Sequence, residues 1–314
     1  MARLAGGIVT VLLLIAASAA VYGYQRVTAL ELVRVTDDVH AIYGLGSNVG
    51  ILRTDAGSIV VDTMTFALQG REIRERARGV AGPVQVIVNT HYHLDHTHGN
   101  PAFAAGLRIV STDNTLAYLH ALDGDYWSGE AGGTLPNETF TGEREISLGG
   151  KTVRLFMPGR GHTDGDLVAL FVEDRVLHTG DLFFNGRYPN IDLEAGGSVQ
   201  EWSATIDRIL AREAEFDHVI PGHGPVTDAA GLRDFQRFMQ ELAGVGAEAA
   251  RSGRSLEETQ RDAALAADAG YEVMAIPLVM RLDRDFVVRR AWEESTGSYE
   301  RVTIEHERGD GGAE

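Results

Sequence analysis

Hydrophobic residues fall in short runs through the first part of this chain and at helical spacing through the last. Runs at 32–35, 39–43, 48–52 and 58–62 predict short strands, separated by turns at 36–38 and 55–57 where Asp and Gly collect. Residues 67–81 have the charged composition of a surface helix, and the apolar stretch 84–90 predicts a buried strand after it. A helix start at 100–105 and a strand at 108–110 follow. The Gly- and Asp-rich stretch 123–141, with Tyr126 and Trp127 embedded, reads as a loop near a site. Further strands are predicted at 145–148, 152–156, 168–172, 175–179 and 218–220.

Beyond 198 the period changes. Ser198 and Glu201 have capping-box spacing, and Val199, Trp202, Ile206, Ile209 and Leu210 recur on one helical face. A second stripe comprises Leu232, Phe235, Phe238, Met239 and Leu242, and Ser255 with Glu258 repeats the capping spacing. The pattern predicts an α/β (α+β) fold: a mixed strand-and-helix domain over 28–228, then a helical C-terminal extension over 229–314 with a frayed tail at 309–314. There is no internal repeat.

With 314 residues, 44% of them hydrophobic, the chain can bury a full core. A net charge of −17 opposes nucleic-acid binding, which needs a basic face, and leaves a small molecule as the expected partner. Lys151 is the only lysine, and cysteine is absent, which excludes thiolate-held zinc, disulfides and cysteine nucleophiles. Residues 4–24 carry no charge, follow Arg3, and contain the small-residue cluster Ala17-Ser18-Ala19-Ala20. That combination predicts a signal peptide or an uncleaved membrane anchor over 1–25, and an exported, periplasmic or extracytoplasmic protein.

Chemistry concentrates in His91-Tyr92-His93-Leu94-Asp95-His96, directly after the 84–90 strand. Neutral imidazoles suit zinc, iron or manganese, and the carboxylate allows a second ion nearby. If the strand continued, His91 and His93 would point the same way. His162, Asp181 and His223 each follow a predicted strand and stand beside glycine, which lets backbone approach a ligand closely.

The order Asp62, His91 to His96, His162, Asp181, His223 resembles the metallo-β-lactamase superfamily from about 32 to 227. The resemblance implies a four-layer αββα sandwich with a dinuclear metal site at one edge of the sheets. It implies that His91, His93 and His162 hold one ion, that Asp95, His96 and His223 hold another, and that Asp181 bridges them, as in glyoxalase II. Asp62 would support the ligand loop, and Asp95 would also orient the attacking oxygen. Arg187 and Tyr188 are the candidates for gripping a substrate anion. His98 and His178 fall outside the ligand set.

Two Zn2+ ions sharing a hydroxide would then attack an acyl ester, thioester, lactone or lactam bond. The alternatives are a mononuclear iron oxidoreductase of the persulfide dioxygenase type and a β-lactamase proper. Asp181 speaks against the latter, since true β-lactamases carry Cys or a non-ligand there. Flavodiiron chemistry is disfavoured because those proteins have a carboxylate in place of His93. A third alternative is a scaffold protein with a vestigial site.

Overall fold

The computed structural model describes residues 17–18, 21–276 and 280–306. Two sheets face each other. The first runs β1 (Glu31–Arg34), β2 (Val39–Tyr43), β3 (Val49–Thr54), β4 (Gly57–Val61), β5 (Val84–Val88), β6 (Arg108–Thr112) and β7 (Glu138–Phe140), in sequential order. Its first four strands pair antiparallel and β4 to β7 pair parallel. The second comprises β8 (Glu143–Leu148), β9 (Lys151–Phe156), β10 (Val168–Phe171), β11 (Val176–His178) and β12 (His218–Ile220).

The central strands β4, β5 and β10 are mostly apolar because each feeds two cores, whereas the edge strands β1, β7 and β8 mix charged and apolar residues. In β4 and β5, Ile59, Val61, Val86 and Val88 point between the sheets, while Val60 and Ile87 point outward against α1 (Ala67–Ala81), which contributes Ile73 and Ala77. The second sheet divides likewise. Val153, Leu155, Ala169 and Phe171 meet the first sheet, whereas Phe156, Val168 and Leu170 face helices. Side chains alternate along a strand, so a run buried on both faces must be continuously hydrophobic.

Those outer helices are α4 (Val199–Leu210), α5 (Ala229–Ser252) and α7 (Arg284–Thr296). Trp202 and Ile206 of α4 share one core with Leu232, Phe235, Phe238 and Met239 of α5 and with Val287 and Val288 of α7. The C-terminal helices therefore complete the fourth layer of the αββα sandwich. Ser198 caps α4 by accepting from Glu201 N–H at 3.0 Å, but the Glu201 carboxylate pairs with Arg160 instead of closing a capping box. Ser255 and Glu258 form both bonds of the box ahead of α6 (Leu256–Asp262). A small hairpin, β13 (Met274–Ile276) with β14 (Met280–Leu282), separates α6 from α7.

Three expectations differ from the structure. The strand before the histidine motif stops at Val88, so His91 and His93 lie in a loop, and strand alternation does not orient them. The stretch 123–141 is not one loop: α3 (Asp113–Trp127) runs into it, followed by a 3-10 turn (Glu130–Thr134) and β7. Gly124 and Asp125 suggest a break, and the helix does kink at Asp123. It persists because the Asp123 carboxylate is held by Trp127 Nε1 and His98 Nε2, both at 2.7 Å. The helix start near 100 is only a 3-10 turn, Asn100–Ala102, after the four-residue α2 (Leu94–Thr97).

Among the described residues no helix is long and apolar enough to cross a membrane. Most of the predicted leader, including all of residues 1–16, lies outside them, as does the predicted tail at 309–314.

Candidate metal centre

The ligand loops leave the C-terminal ends of parallel strand pairs in both sheets. In the first, Val61 pairs with Val88, and Asp62 N–H donates to the Val88 carbonyl at 2.8 Å, so the residue after β4 lies beside the loop after β5. In the second, His178 pairs with Ile220, which brings the loops carrying Asp181 and His223 together. The His162 loop connects β9 to β10. Parallel pairing thus sets separate parts of the sequence at one edge of the sandwich.

Two groups result. His91, His93, His162 and Asp181 form one, and Asp95, His96 and His223 the other, with donor atoms inside each group no more than 4.8 Å apart. Asp181 lies between them: its Oδ2 is 3.7 Å from His162 Nε2 and 4.0 Å from His91 Nε2, while its Oδ1 is 3.1 Å from His96 Nε2 and 3.3 Å from His223 Nε2.

The outer nitrogens of four histidines are tied to oxygen. His96 Nδ1 meets Asp62 Oδ2 at 2.7 Å, His162 Nδ1 meets Asp166 Oδ1 at 3.1 Å, and His93 Nε2 meets Asp192 Oδ2 at 2.9 Å. His91 Nδ1 lies 3.0 Å from the Thr90 hydroxyl, which donates its own proton to Asp62 at 2.8 Å. Such partners fix the tautomer and leave the other nitrogen with a free lone pair. Accordingly His91, His96 and His162 Nε2 and Asp181 Oδ1 are fully buried and make no hydrogen bond.

Unsatisfied buried polar atoms are costly, and several converging on one point need a partner of another kind. The residues fit a divalent cation: imidazole and carboxylate donors, with no thiolate. Charge agrees. Asp62, Asp95, Asp166, Asp181 and Asp192 gather round the five histidines, and among the described residues no Lys or Arg is ion-paired to any of the seven donors. Burial drives the His91 imidazole well below its ordinary pKa. Burial would lower His96 too, but the Asp181, Asp62 and Asp95 carboxylates overcome it and hold His96 well above. Asp181, despite the upward push of burial, is held far below the usual carboxylate range by His223 and His96.

Glycine serves this approach. A Cβ on Gly222 would overlap Asp181 Oδ1 and stand 2.7 Å from the Gly180 carbonyl carbon.

The family model of the metallo-beta-lactamase superfamily matches residues 42–223, over half of the chain and all seven donor residues. The chain belongs to the metallo-beta-lactamase superfamily. It is a metal-dependent hydrolase with a His/Asp cluster able to bind metal. A metallo-beta-lactamase type 2 of Bacillus sp. is 30% identical over 184 residues, covering 58% of this chain and 68% of the relative. The alpha subunit of a 2,4-dinitroanisole O-demethylase of Nocardioides sp. is 31% identical over 184 residues, covering 55% of this chain and 53% of that subunit. Solved structures show the same fold. A metallo-beta-lactamase from Pontibacter korlensis superposes with a TM-score of 0.55 at 24% identity, over 67% of this chain and 99% of the other. An inverting sec-alkylsulfatase from Pseudomonas sp. gives 0.64 at 18% identity, over 86% of this chain and 51% of the other.

Arg187 and Tyr188 are drawn elsewhere. Tyr188 is buried, and its hydroxyl donates to Asp268 at 2.9 Å, while Arg187 lies 3.6 Å from Glu272; both partners belong to the C-terminal segment. The loop after Asp181 is therefore packed against that segment, with the Tyr188 hydroxyl occupied and the Arg187 side chain part-exposed. His98 is stacked on Tyr126 with ring centres 3.6 Å apart, and His178 is buried with Nδ1 accepting from Gly180 N–H.

Asp166 and Asp192 carry no role in the sequence reading. The first stands four residues after His162, a spacing visible in the sequence. The second is 99 residues from His93, and only the fold reveals the pairing.

Proposed function

We propose that the chain is a dinuclear zinc hydrolase acting on an acyl ester, thioester, lactone or lactam bond. The observation that carries this is Asp181, whose two carboxylate oxygens face separate histidine groups. On this reading His91, His93 and His162 hold one ion, Asp95, His96 and His223 the other, and Asp181 both. Two bound divalent ions supply Lewis acidity and an activated water near neutral pH.

The protein's own groups do the rest. Asp95 has a quarter of its side chain open to solvent, whereas His91, His96, His162, Asp181 and His223 are almost wholly enclosed. Its Oδ2 faces His223 Nε2 at 3.4 Å and would hold the ion, and the open side of the carboxylate would orient the attacking water. Asp62, Asp166 and Asp192 hold the imidazoles in the tautomer the ions require.

The test is a panel of ester, thioester, lactone and lactam substrates offered to the zinc-loaded protein. Turnover lost with chelator and restored with zinc supports the proposal; a protein that binds zinc yet cleaves none overturns it. The Bacillus relative keeps lactams in the panel, and the O-demethylase relative adds an aryl ether. We also propose export by residues 1–25, supported by their uncharged apolar run. A chain retained in the cytoplasm of an expressing bacterium would oppose it.

A further inference from the structure

We infer that the mouth of this centre is a rim for an uncharged, apolar group of the substrate, an inference that rests on the hydrolase reading above. Large hydrophobic side chains exposed to water collect there. Leu94 is half exposed although it stands between two donor residues, His93 and Asp95, whose side chains are the most exposed of the seven donors. Chain continuity alone places it at the opening.

The other members are joined to it by named contacts. A Cβ on Gly46 would stand 3.4 Å from Asp95 Cβ, so the β2–β3 loop lies against Asp95, and Leu45 is the exposed large hydrophobic residue of this loop. Gln69 ties the loop to the next member: its Nε2 donates to the Leu45 carbonyl at 2.7 Å, and its Oε1 accepts from Phe66 N–H at 3.1 Å. Phe66 is exposed as well. On the other flank, His98 N–H donates to the Leu94 carbonyl, and Tyr126 stacks on the His98 ring and donates to its carbonyl at 3.0 Å. Leu122, four residues before Tyr126 across the kink at Asp123, is exposed as well. The kink at Asp123 and its bonds to His98 and Trp127 fix this flank in place.

Exposed apolar side chains scattered singly need no account, but a set gathered at one site marks a binding surface. Charge selects the occupant. The rim segments 44–48, 63–69, 91–98 and 122–126 contain no Lys or Arg, while Asp123 and Asp125 lie within them. A carboxylate, sulfate or phosphate on the far part of the substrate finds no partner there and meets acidic residues. An alkyl or aryl group finds Leu45, Phe66, Leu94, Leu122 and Tyr126.

The test uses the full zinc-loaded chain and p-nitrophenyl esters from acetate to decanoate, with matching esters that end in a carboxylate. Uncharged p-nitrophenyl alkyl ethers, which are not acyl substrates, are titrated in parallel against metal-free protein by quenching of tryptophan emission. We expect kcat/KM, and ether affinity, to rise about twofold per methylene, half the free energy of complete burial. A terminal carboxylate should lower kcat/KM at least tenfold. The double substitution Phe66→Ser with Leu122→Ser should flatten both series toward no dependence on length. Esters hydrolysed equally at every length, or ether binding indifferent to length, overturn the rim. Length-dependent ether binding without hydrolysis of any ester would instead overturn the acyl-hydrolase reading and leave the rim standing. If the double substitution changes only the sedimentation of the protein, the surface belongs to a second copy of the chain and the inference fails.

Discussion

Asp62 Oδ2 lies 2.7 Å from His96 Nδ1, and both residues are completely sealed from solvent. The same carboxylate accepts from the Thr90 N–H and hydroxyl, each at 2.8 Å, so one side chain holds the histidine loop and a ligand ring. Its backbone has φ 64, in the left-handed region that only a short polar side chain or glycine tolerates well.

Replacing Asp62 with Asn keeps the shape and removes the charge. It should weaken the ion held by Asp95, His96 and His223 by about 10–100-fold, with less effect on the other. Zinc titration against a competing chelator resolves the two; equal affinity to the parent would refute the orienting role.

Asp192 makes the opposite prediction. Its Oδ2 accepts from His93 and from the Tyr92 hydroxyl, and Oδ1 from Ala195 N–H at 3.0 Å. His93 together with Tyr92 holds this carboxyl far below the usual carboxylate range, although burial pushes it up. Asp192→Asn should therefore weaken the ion of the His91, His93 and His162 group by a similar 10–100-fold. Loss of the other ion first would contradict the pairing.

The contrast between these aspartates shows what the sequence makes legible. Asp62, the histidine motif, His162, Asp181 and His223 are readable because each follows a hydrophobic strand; parallel pairing of β4 with β5 and of β11 with β12 carries four of these loops together, and the antiparallel β9–β10 connection brings His162 to the same edge. Asp192 sits in an irregular loop whose neighbour is chosen by tertiary packing, and no local pattern marks it. The partners of Arg187 and Tyr188 are hidden in the sequence for a related reason. They follow Asp181 closely in sequence, yet Asp268 and Glu272 capture them from the C-terminal segment. The α3 helix was hidden by Gly124 and Asp125, whose weak propensity is overridden by the bonds of Asp123.

Gly222→Ala tests the closeness of the ligand loops. The added methyl overlaps Asp181 Oδ1, and the nearby Gly180 backbone cannot yield cheaply. We expect a loss of about 1–3 kcal/mol in unfolding free energy, together with lowered zinc content. Unchanged denaturant midpoint and zinc content would contradict the packing.

His178 gives a pH dependence. Burial lowers its imidazole to about 4, below the 6.5 of an exposed histidine. The folded state thus resists protonation that the unfolded chain accepts. The stability this confers is complete above about pH 6.5 and disappears as pH falls toward 4. His178→Asn retains an acceptor for Gly180 N–H and has no such titration. In metal-free protein, the parent should lose on the order of 3 kcal/mol more than the variant between pH 7 and 4, measured by urea unfolding. Parallel losses would overturn the assignment.

Metal stoichiometry tests the central claim most directly. Parent protein and Asp181→Ala, each saturated with zinc and freed of excess, are compared by elemental mass spectrometry. Two ions per chain are expected in the parent, and one or fewer in the variant with hydrolysis reduced at least about 100-fold. A parent that never exceeds one ion, or that takes iron and consumes oxygen with a thiol, would contradict it.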